Sequence, residues 1–432
     1  MANSGDKVQF KYKDKLMVGI LMPRSSMMDD DVLVIKLDNG YNIGLKKSEV
    51  SSMKVLEKHK VIKSNFKKLK KNPKLPNISI LSFGGTISSK IDYTTGGVYA
   101  DYTAEDFVAM EPSLMDFANI EAKKVMSVMT EDIAWDEWKK IATAIHTEIK
   151  RDDVDGIVAT VGTDTMHYIT SAVSFFLRDL NKPVIFTASQ RSIDRASTDA
   201  FMNLKCAIIS ASSFDGAVIA TCMHGTVNDD YCLLIRGTKV RKMHTSRRDA
   251  FRPINEQALA KVFPSGKIEI VNENYIKKSD VTGKKCILDA KYEEKVGLIL
   301  QHPGLNPKII DFYVDQGYKG LVIGATALGH VAVNGKFSLV DSLKRAKKKG
   351  VHIIISSQTV YGRVNPYVYT NLRKLSLDIG CIFVGDMLLE TSYCKLGYVL
   401  AHAKDSQDVK KLMLTNISGE INDRHSINDF LN

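Results

Sequence analysis

The sequence predicts an α/β protein, with two parallel-sheet domains in succession behind a small N-terminal β-barrel. Three observations carry that prediction. From Asn77 onward, short apolar runs alternate with segments of helical periodicity, as the strands and covering helices of a parallel sheet do. A second series of the same kind begins afresh at Val296. Residues 7–50 show strand periodicity alone, with a hairpin turn among them. The expected division is 1–56 for the barrel, 57–76 for a basic linker and 77–272 for the first α/β domain. A second linker over 273–294 and a smaller α/β domain over 295–432 complete it.

In the first unit, Val8, Phe10 and Tyr12 alternate with Gln9, Lys11 and Lys13, the period-2 pattern of a strand with one face covered. Residues 32–37 form another strand. Asp38-Asn39-Gly40-Tyr41 follows as a tight turn, because Asn-Gly tolerates the positive φ angles of type I′. Residues 41–45 return. A unit this small, with no catalytic constellation, suits contacts rather than chemistry. Next come eight lysines and no acid within residues 58–74, most of the net charge of +11. Such a run is either a solvated tether or a strip that contacts nucleic-acid phosphates.

The first α/β domain opens with Asn77-Ile78-Ser79-Ile80-Leu81, then Ser82-Phe83-Gly84-Gly85-Thr86. Two glycines let the backbone turn sharply at the strand end. Trp138, Ile141, Ala142, Ile145 and Ile149 mark one face of a helix. Residues 156–161 are a strand apolar on both faces, followed by Gly162-Thr163-Asp164-Thr165 and a helix expected over 168–180. Polar clusters at the carboxyl ends of strands are where open α/β sheets hold ligands. A cap for the following helix is the alternative use of Thr163 and Asp164. Residues 184–186 and 217–220 read as strands with a helix over 196–210 between them. In the second domain the strands are 296–300, 321–323 and 351–355.

Composition excludes several classes. No run of eighteen apolar residues occurs, so no transmembrane helix is expected. The start, Met1-Ala2-Asn3-Ser4-Gly5, lacks the apolar core of a signal peptide, and a cytoplasmic protein is expected. Six scattered cysteines without a C-x-x-C pair imply reduced thiols, not a disulfide framework or zinc site. No two histidines stand at metal-ligand spacing. No P-loop and no dinucleotide fingerprint is present, so the chain itself is expected to bind no ATP.

Gly84-Gly85-Thr86-Ile87, then Gly162-Thr163-Asp164-Thr165, then Lys242 in Arg241-Lys242-Met243-His244-Thr245, in that order, resemble the L-asparaginase family. Residues 21–24 and 33–44 resemble the N-terminal module of the archaeal-type glutamyl-tRNA(Gln) amidotransferase D subunits, extending the likeness over nearly the whole chain. The resemblance implies an asparaginase-like two-domain fold that releases ammonia from glutamine or asparagine through an acyl-threonine. Thr86 is then the candidate nucleophile, Thr163 and Lys242 its proton relay, and Asp164 the carboxylate that holds the lysine. A threonine hydroxyl needs such a base beside it. For Lys242 to serve, it must lose its proton; desolvation favours that and a neighbouring Asp opposes it. By the same resemblance Asp164 also holds the substrate α-amino group, with Thr130 and Glu131 completing the pocket; a cap before Trp135 is the alternative for that pair. Family lids carry a tyrosine that orients the nucleophile, and here Tyr93 and Tyr99 are both candidates. No metal or cofactor is implied in this chain. ATP and Mg2+ belong to a partner, the amidotransferase E subunit, which makes Gln-tRNA(Gln) from Glu-tRNA(Gln). A homodimer is implied as well, and no membrane. A free-standing asparaginase with an appended module is the alternative. Two departures from the family stand out: Tyr369-Thr370-Asn371-Leu372-Arg373 lacks a glycine before the arginine, and residues 386–390 carry Leu where Pro is common.

Overall fold

A computed structural model describes residues 2–22, 31–38, 41–58, 71–85, 89–91, 98–100, 111–193 and 197–430. The first unit is an antiparallel five-stranded sheet. Lys7–Tyr12 sits between Lys15–Leu21 and Val50–Glu57; Val32–Lys36 and Asn42–Lys46 follow beyond Lys15–Leu21. Val8 and Phe10, the inward members of the predicted alternation, are fully buried with Ile35 and Leu45. The turn residues Asn39 and Gly40 and most of the lysine segment lie outside the described residues.

The large domain is built on an eight-stranded sheet. Five strands are parallel, in the spatial order Asn119–Lys124, Asn77–Ser82, Gly156–Thr160, Val184–Thr187, Ile219–His224. Three antiparallel strands, Cys232–Arg236, Ala260–Val262 and Ile268–Ile270, extend it. Numbered along the chain, the parallel part runs 2-1-3-4-5. The direction of winding therefore reverses between Asn77–Ser82 and Gly156–Thr160. The crevice outside the carboxyl ends at such a reversal is the ligand position of doubly wound sheets.

Gly156–Thr160 is buried at every residue, as its nearly all-apolar run predicts. Trp135–Ile149 and Met166–Phe176 cover one face of the sheet, and Ala200–Ser213 covers the other. Met166–Phe176 is buried at every residue but Tyr168, because the small domain packs on its outer side. Phe175 stacks on Tyr398 of helix Leu389–Leu400 at 6.0 Å between ring centroids. The helix expected to reach residue 180 ends at Phe176. Leu177 turns extended, and Leu177–Arg178 pairs with Ile287–Leu288, so a tertiary strand pairing overrides the helical pattern there. The stretch 273–294 thus carries its own short elements, including a 3-10 turn at Lys278–Val281.

The small domain has four parallel strands in chain order, Val296–Leu300, Gly320–Ala325, His352–Ser357 and Ile382–Phe383. Leucine in place of the family proline leaves the helix Leu389–Leu400 starting directly after Leu388. Residues 370–373 form a single helical turn without the missing glycine. All six cysteines are buried and unpaired.

Candidate active site

Three loops meet at the reversal point. Gly84 and Gly85 leave strand Asn77–Ser82 with φ of +110° and +85°. A Cβ on Gly84 would lie 2.6 Å from the Val128 carbonyl oxygen, and one on Gly85 would lie 2.3 Å from the Gly162 nitrogen. Only glycine permits that closeness of backbones. Thr130 closes the third side. It is buried, its hydroxyl borders Gly162, and its carbonyl accepts a 2.6 Å hydrogen bond from the Thr165 hydroxyl.

Into this junction the ribbon Val240–Lys242 delivers one side chain. Lys242 Nζ donates to Thr163 Oγ1 at 2.9 Å and to Asp164 Oδ1 at 2.7 Å. Thr163 Oγ1 in turn lies 3.3 Å from Asp164 Oδ1. Lys242 is separated from Thr163 by 79 residues in sequence, so the fold alone creates the triangle. The hydrogen bond from Lys242, with its charge, holds the Asp164 carboxyl below the usual range. Asp164 is therefore ionised at neutral and mildly acid pH, while its side chain stays 62% exposed and open to a ligand.

The structure thus brings together Thr163, Asp164 and Lys242, with Thr130 behind them. Glu131 is exposed in the 3-10 turn Thr130–Asp132 next to this group. The cap before Trp135 is not made by Thr130 or Glu131; Ala134 occupies that position, and its N–H donates to Glu137. Thr86 and Tyr93 lie outside the described residues. Tyr99 belongs to a short hairpin of Ser89–Ile91 with Val98–Ala100, its side chain outside the description.

The bases around Lys242 are held in ion pairs. Arg236 pairs with Glu256, Lys239 with Asp386, Arg241 with Glu390 and Arg248 with Asp229. Arg236 and Lys239 are buried. In these four pairs the acid lies at least 19 residues from its base, whereas Arg247 pairs with Asp249 only two residues on. Among the described residues no group of three or more His, Cys, Asp or Glu side chains is arranged to hold a metal ion.

His167 is the second residue of the helix that follows the Thr163 loop, buried against Tyr168. Burial, then the nearby Arg241 and Lys242 charges, push its imidazole down to about 3. Between that value and the unfolded value near 6.5, the unfolded chain binds a proton that the folded chain refuses. Stability from this group is therefore present above about pH 6.5 and falls as the pH drops, by roughly 1.4 kcal/mol per unit. His167→Gln is expected to remove about 2 kcal/mol of the stability difference between pH 7 and pH 5. Urea unfolding of both proteins at the two pH values checks this; parallel losses would mean that His167 titrates normally.

The sheet order, the small second domain and the Thr-Asp-Lys junction define the asparaginase fold. The family Asparaginase, N-terminal, matches residues 77–275, and Glutaminase/Asparaginase C-terminal domain matches 295–413. Among solved structures, the thermostable L-asparaginase from Thermococcus kodakarensis superposes with a TM-score of 0.72 at 27% identity, over 81% of this chain and 100% of that one. L-asparaginase I from Vibrio cholerae gives 0.70 at 26% identity, over 81% and 99%. Those matches leave the front module uncovered, and residues 2–56 match the GatD N-terminal domain. Relatives of similar length cover both parts. The glutamyl-tRNA(Gln) amidotransferase D subunit of Pyrococcus furiosus is 46% identical over 429 residues, 99% of this chain and 94% of that protein. The D subunit from Thermococcus kodakarensis is 45% identical over 415 residues, 96% and 92%. The chain belongs to the family of glutamyl-tRNA(Gln) amidotransferase D subunits.

Proposed function

We propose that this chain is the ammonia-producing component of a tRNA-dependent amidotransferase, a glutamine-hydrolysing ligase. The contact of Lys242 with both Thr163 and Asp164, at the sheet's reversal point, is the observation that supports it most. In this reading the Thr86 hydroxyl attacks the side-chain amide carbon of glutamine or asparagine. Its proton passes through Thr163 and Lys242 to the leaving nitrogen, which departs as ammonia. Water then hydrolyses the acyl-threonine, returning the proton to Thr86 and releasing the amino-acid carboxylate. Asp164 anchors Lys242 with one oxygen, and its exposed side offers charge to the substrate ammonium, with Thr130 and Glu131 beside it. Tyr93 or Tyr99 covers the nucleophile. The ammonia goes to the partner E subunit, which activates Glu-tRNA(Gln) with ATP and Mg2+.

The front module and the lysine segment serve assembly with that partner or with tRNA, and two copies of the chain associate with the small domains toward the neighbour's catalytic loops. The setting is the cytoplasm; among the described residues no helix is long and apolar enough to cross a membrane. A component of a complex should be slow alone and fast when assembled, whereas a free-standing asparaginase is fast alone. Ammonia release from glutamine is therefore expected to rise at least about tenfold when partner and charged tRNA are added, a change of about 1.4 kcal/mol in the barrier. Light scattering on the same samples reads the assembly. Full activity by the isolated chain, or by a monomer, would overturn the corresponding part of the proposal.

A further inference from the structure

Lys242 stands on a three-residue strand. Val240–Lys242 pairs with Phe251–Pro253 as a ribbon of two strands, apart from the eight-stranded sheet. An isolated pair of this length is too short to hold its own position. A relay needs its groups fixed to within about half an ångström. The restraint must come from what surrounds the ribbon.

It comes from two sides. From the large domain, the hydroxyls of Thr170 and Ser171 donate to the Gly237 carbonyl at 2.8 and 3.3 Å. From the small domain, one short segment grips three residues of the ribbon and its approach. Asp386 Oδ2 meets Lys239 Nζ at 2.5 Å, with both side chains fully buried. Glu390 Oε1, itself buried, meets the Arg241 guanidinium at 3.0 Å. The Thr391 hydroxyl donates to the Thr238 carbonyl at 2.9 Å. Asp386 is held in turn: the Asn422 N–H donates to Oδ1, and Asn255 Nδ2 donates to its carbonyl, each at 2.9 Å. His425 Nε2 lies 3.3 Å from Oδ2 on the remaining side.

Successive side chains on a strand face opposite ways. Arg241 faces the small domain and Lys242 faces Thr163, so the grip is on the back of the residue that works at the front. We propose that Asp386 and Glu390 are positioning residues, which act through Lys239 and Arg241 to hold Lys242 within reach of Thr163. The inference rests on the reading of Lys242 as part of the relay. It makes the small domain a working part of the same chain's site, since its helix start sets the place of a group in the large domain.

Glu390→Gln keeps the shape and removes the charge beside a partly exposed arginine, so the fold should survive it. Asp386→Asn alone would leave Lys239 buried without a counter-charge and is a risk to folding. The paired change Lys239→Met with Asp386→Leu removes both charges at similar volume. In the full complex, glutamine-dependent ammonia release by Glu390→Gln is expected to show kcat at least tenfold lower, KM within twofold and an unmoved Tm. The double variant is expected to regain the Tm of the unaltered protein while kcat stays at least tenfold down. A merely structural role predicts the opposite, activity returning with stability. Lys242→Leu is the control. If it is inactive while either clamp variant keeps full kcat, the positioning role is overturned and the relay stands. If Lys242→Leu is itself fully active, the relay reading fails and this inference falls with it.

Discussion

Lys242→Leu and Thr163→Val are each expected to lower ammonia release from glutamine by a factor of about 10³ or more, near the upper range for losing a general base. In barrier terms this is about 4 kcal/mol. Thr86→Val and Asp164→Asn should fall in the same range. Amidation of the tRNA-bound glutamate with added ammonium should survive in all four, because that step is assigned to the partner. The fold should survive too. Lys242 is only 11% exposed, but its ionic partner Asp164 is 62% exposed and keeps its water when the lysine is lost. An ion pair open on one side contributes of the order of 1 kcal/mol or less. The expected loss of rate thus far exceeds the expected loss of stability, and Tm measured beside kcat separates them. If Thr163 and Lys242 act as a unit, as proposed, the double variant should cost no more than the worse single one. Glutamine-dependent activity at the unaltered level in Lys242→Leu or Thr86→Val would remove the proposed mechanism.

What the sequence disclosed here follows a physical division. Gly156–Thr160 and helix Trp135–Ile149 were legible because their burial repeats along the chain with the period of the element. The loops at Gly85 and Thr163 were legible because each follows a buried strand, and a strand end is a known place for ligands. Their adjacency was not: the 2-1-3-4-5 order that sets one beside the other is a property of the assembled sheet. The end of helix Met166–Phe176 was misplaced because Leu177 and Leu180 continue the apolar pattern, while the pairing of Leu177–Arg178 with Ile287–Leu288 is invisible locally. The ion pairs of Lys239 and Arg241 were hidden for the same reason. Asp386 and Glu390 are about 150 residues away, and one sequence gives no measure of which acid meets which base.

Gly85→Ala is expected to cost most of the activity without touching a reactive group. The added Cβ would fall 2.3 Å from the Gly162 nitrogen and 2.4 Å from its Cα, where van der Waals contact begins near 3.4 Å. Both are backbone atoms, so no rotamer change relieves the clash. The φ of +85° adds the strain of a left-handed residue, roughly 1–2 kcal/mol. With overpacking at about 1–3 kcal/mol, the total is about 2–5 kcal/mol. A domain in the middle of the ordinary range, about 10 kcal/mol, remains folded under that load. The cheapest relief is for the Gly85 loop and the Gly162 loop to part by about an ångström, which in a pre-aligned site costs of the order of 10²-fold in rate. Thr163 follows Gly162 directly, so the movement is passed to the residue that bonds Lys242. Gly335→Ala is the matched control: its φ is +74°, yet a Cβ there meets nothing within 4 Å. It should lose about as much stability to backbone strain and none of the activity. Gly162→Ala should lie between the two, since its Cβ meets the side chain of Thr130 at 2.9 Å and a side chain can give way. Measuring kcat and Tm for the three variants tests the order. Equal activity in Gly85→Ala and Gly335→Ala would mean that the contact of the two glycine loops does not set the geometry of the site.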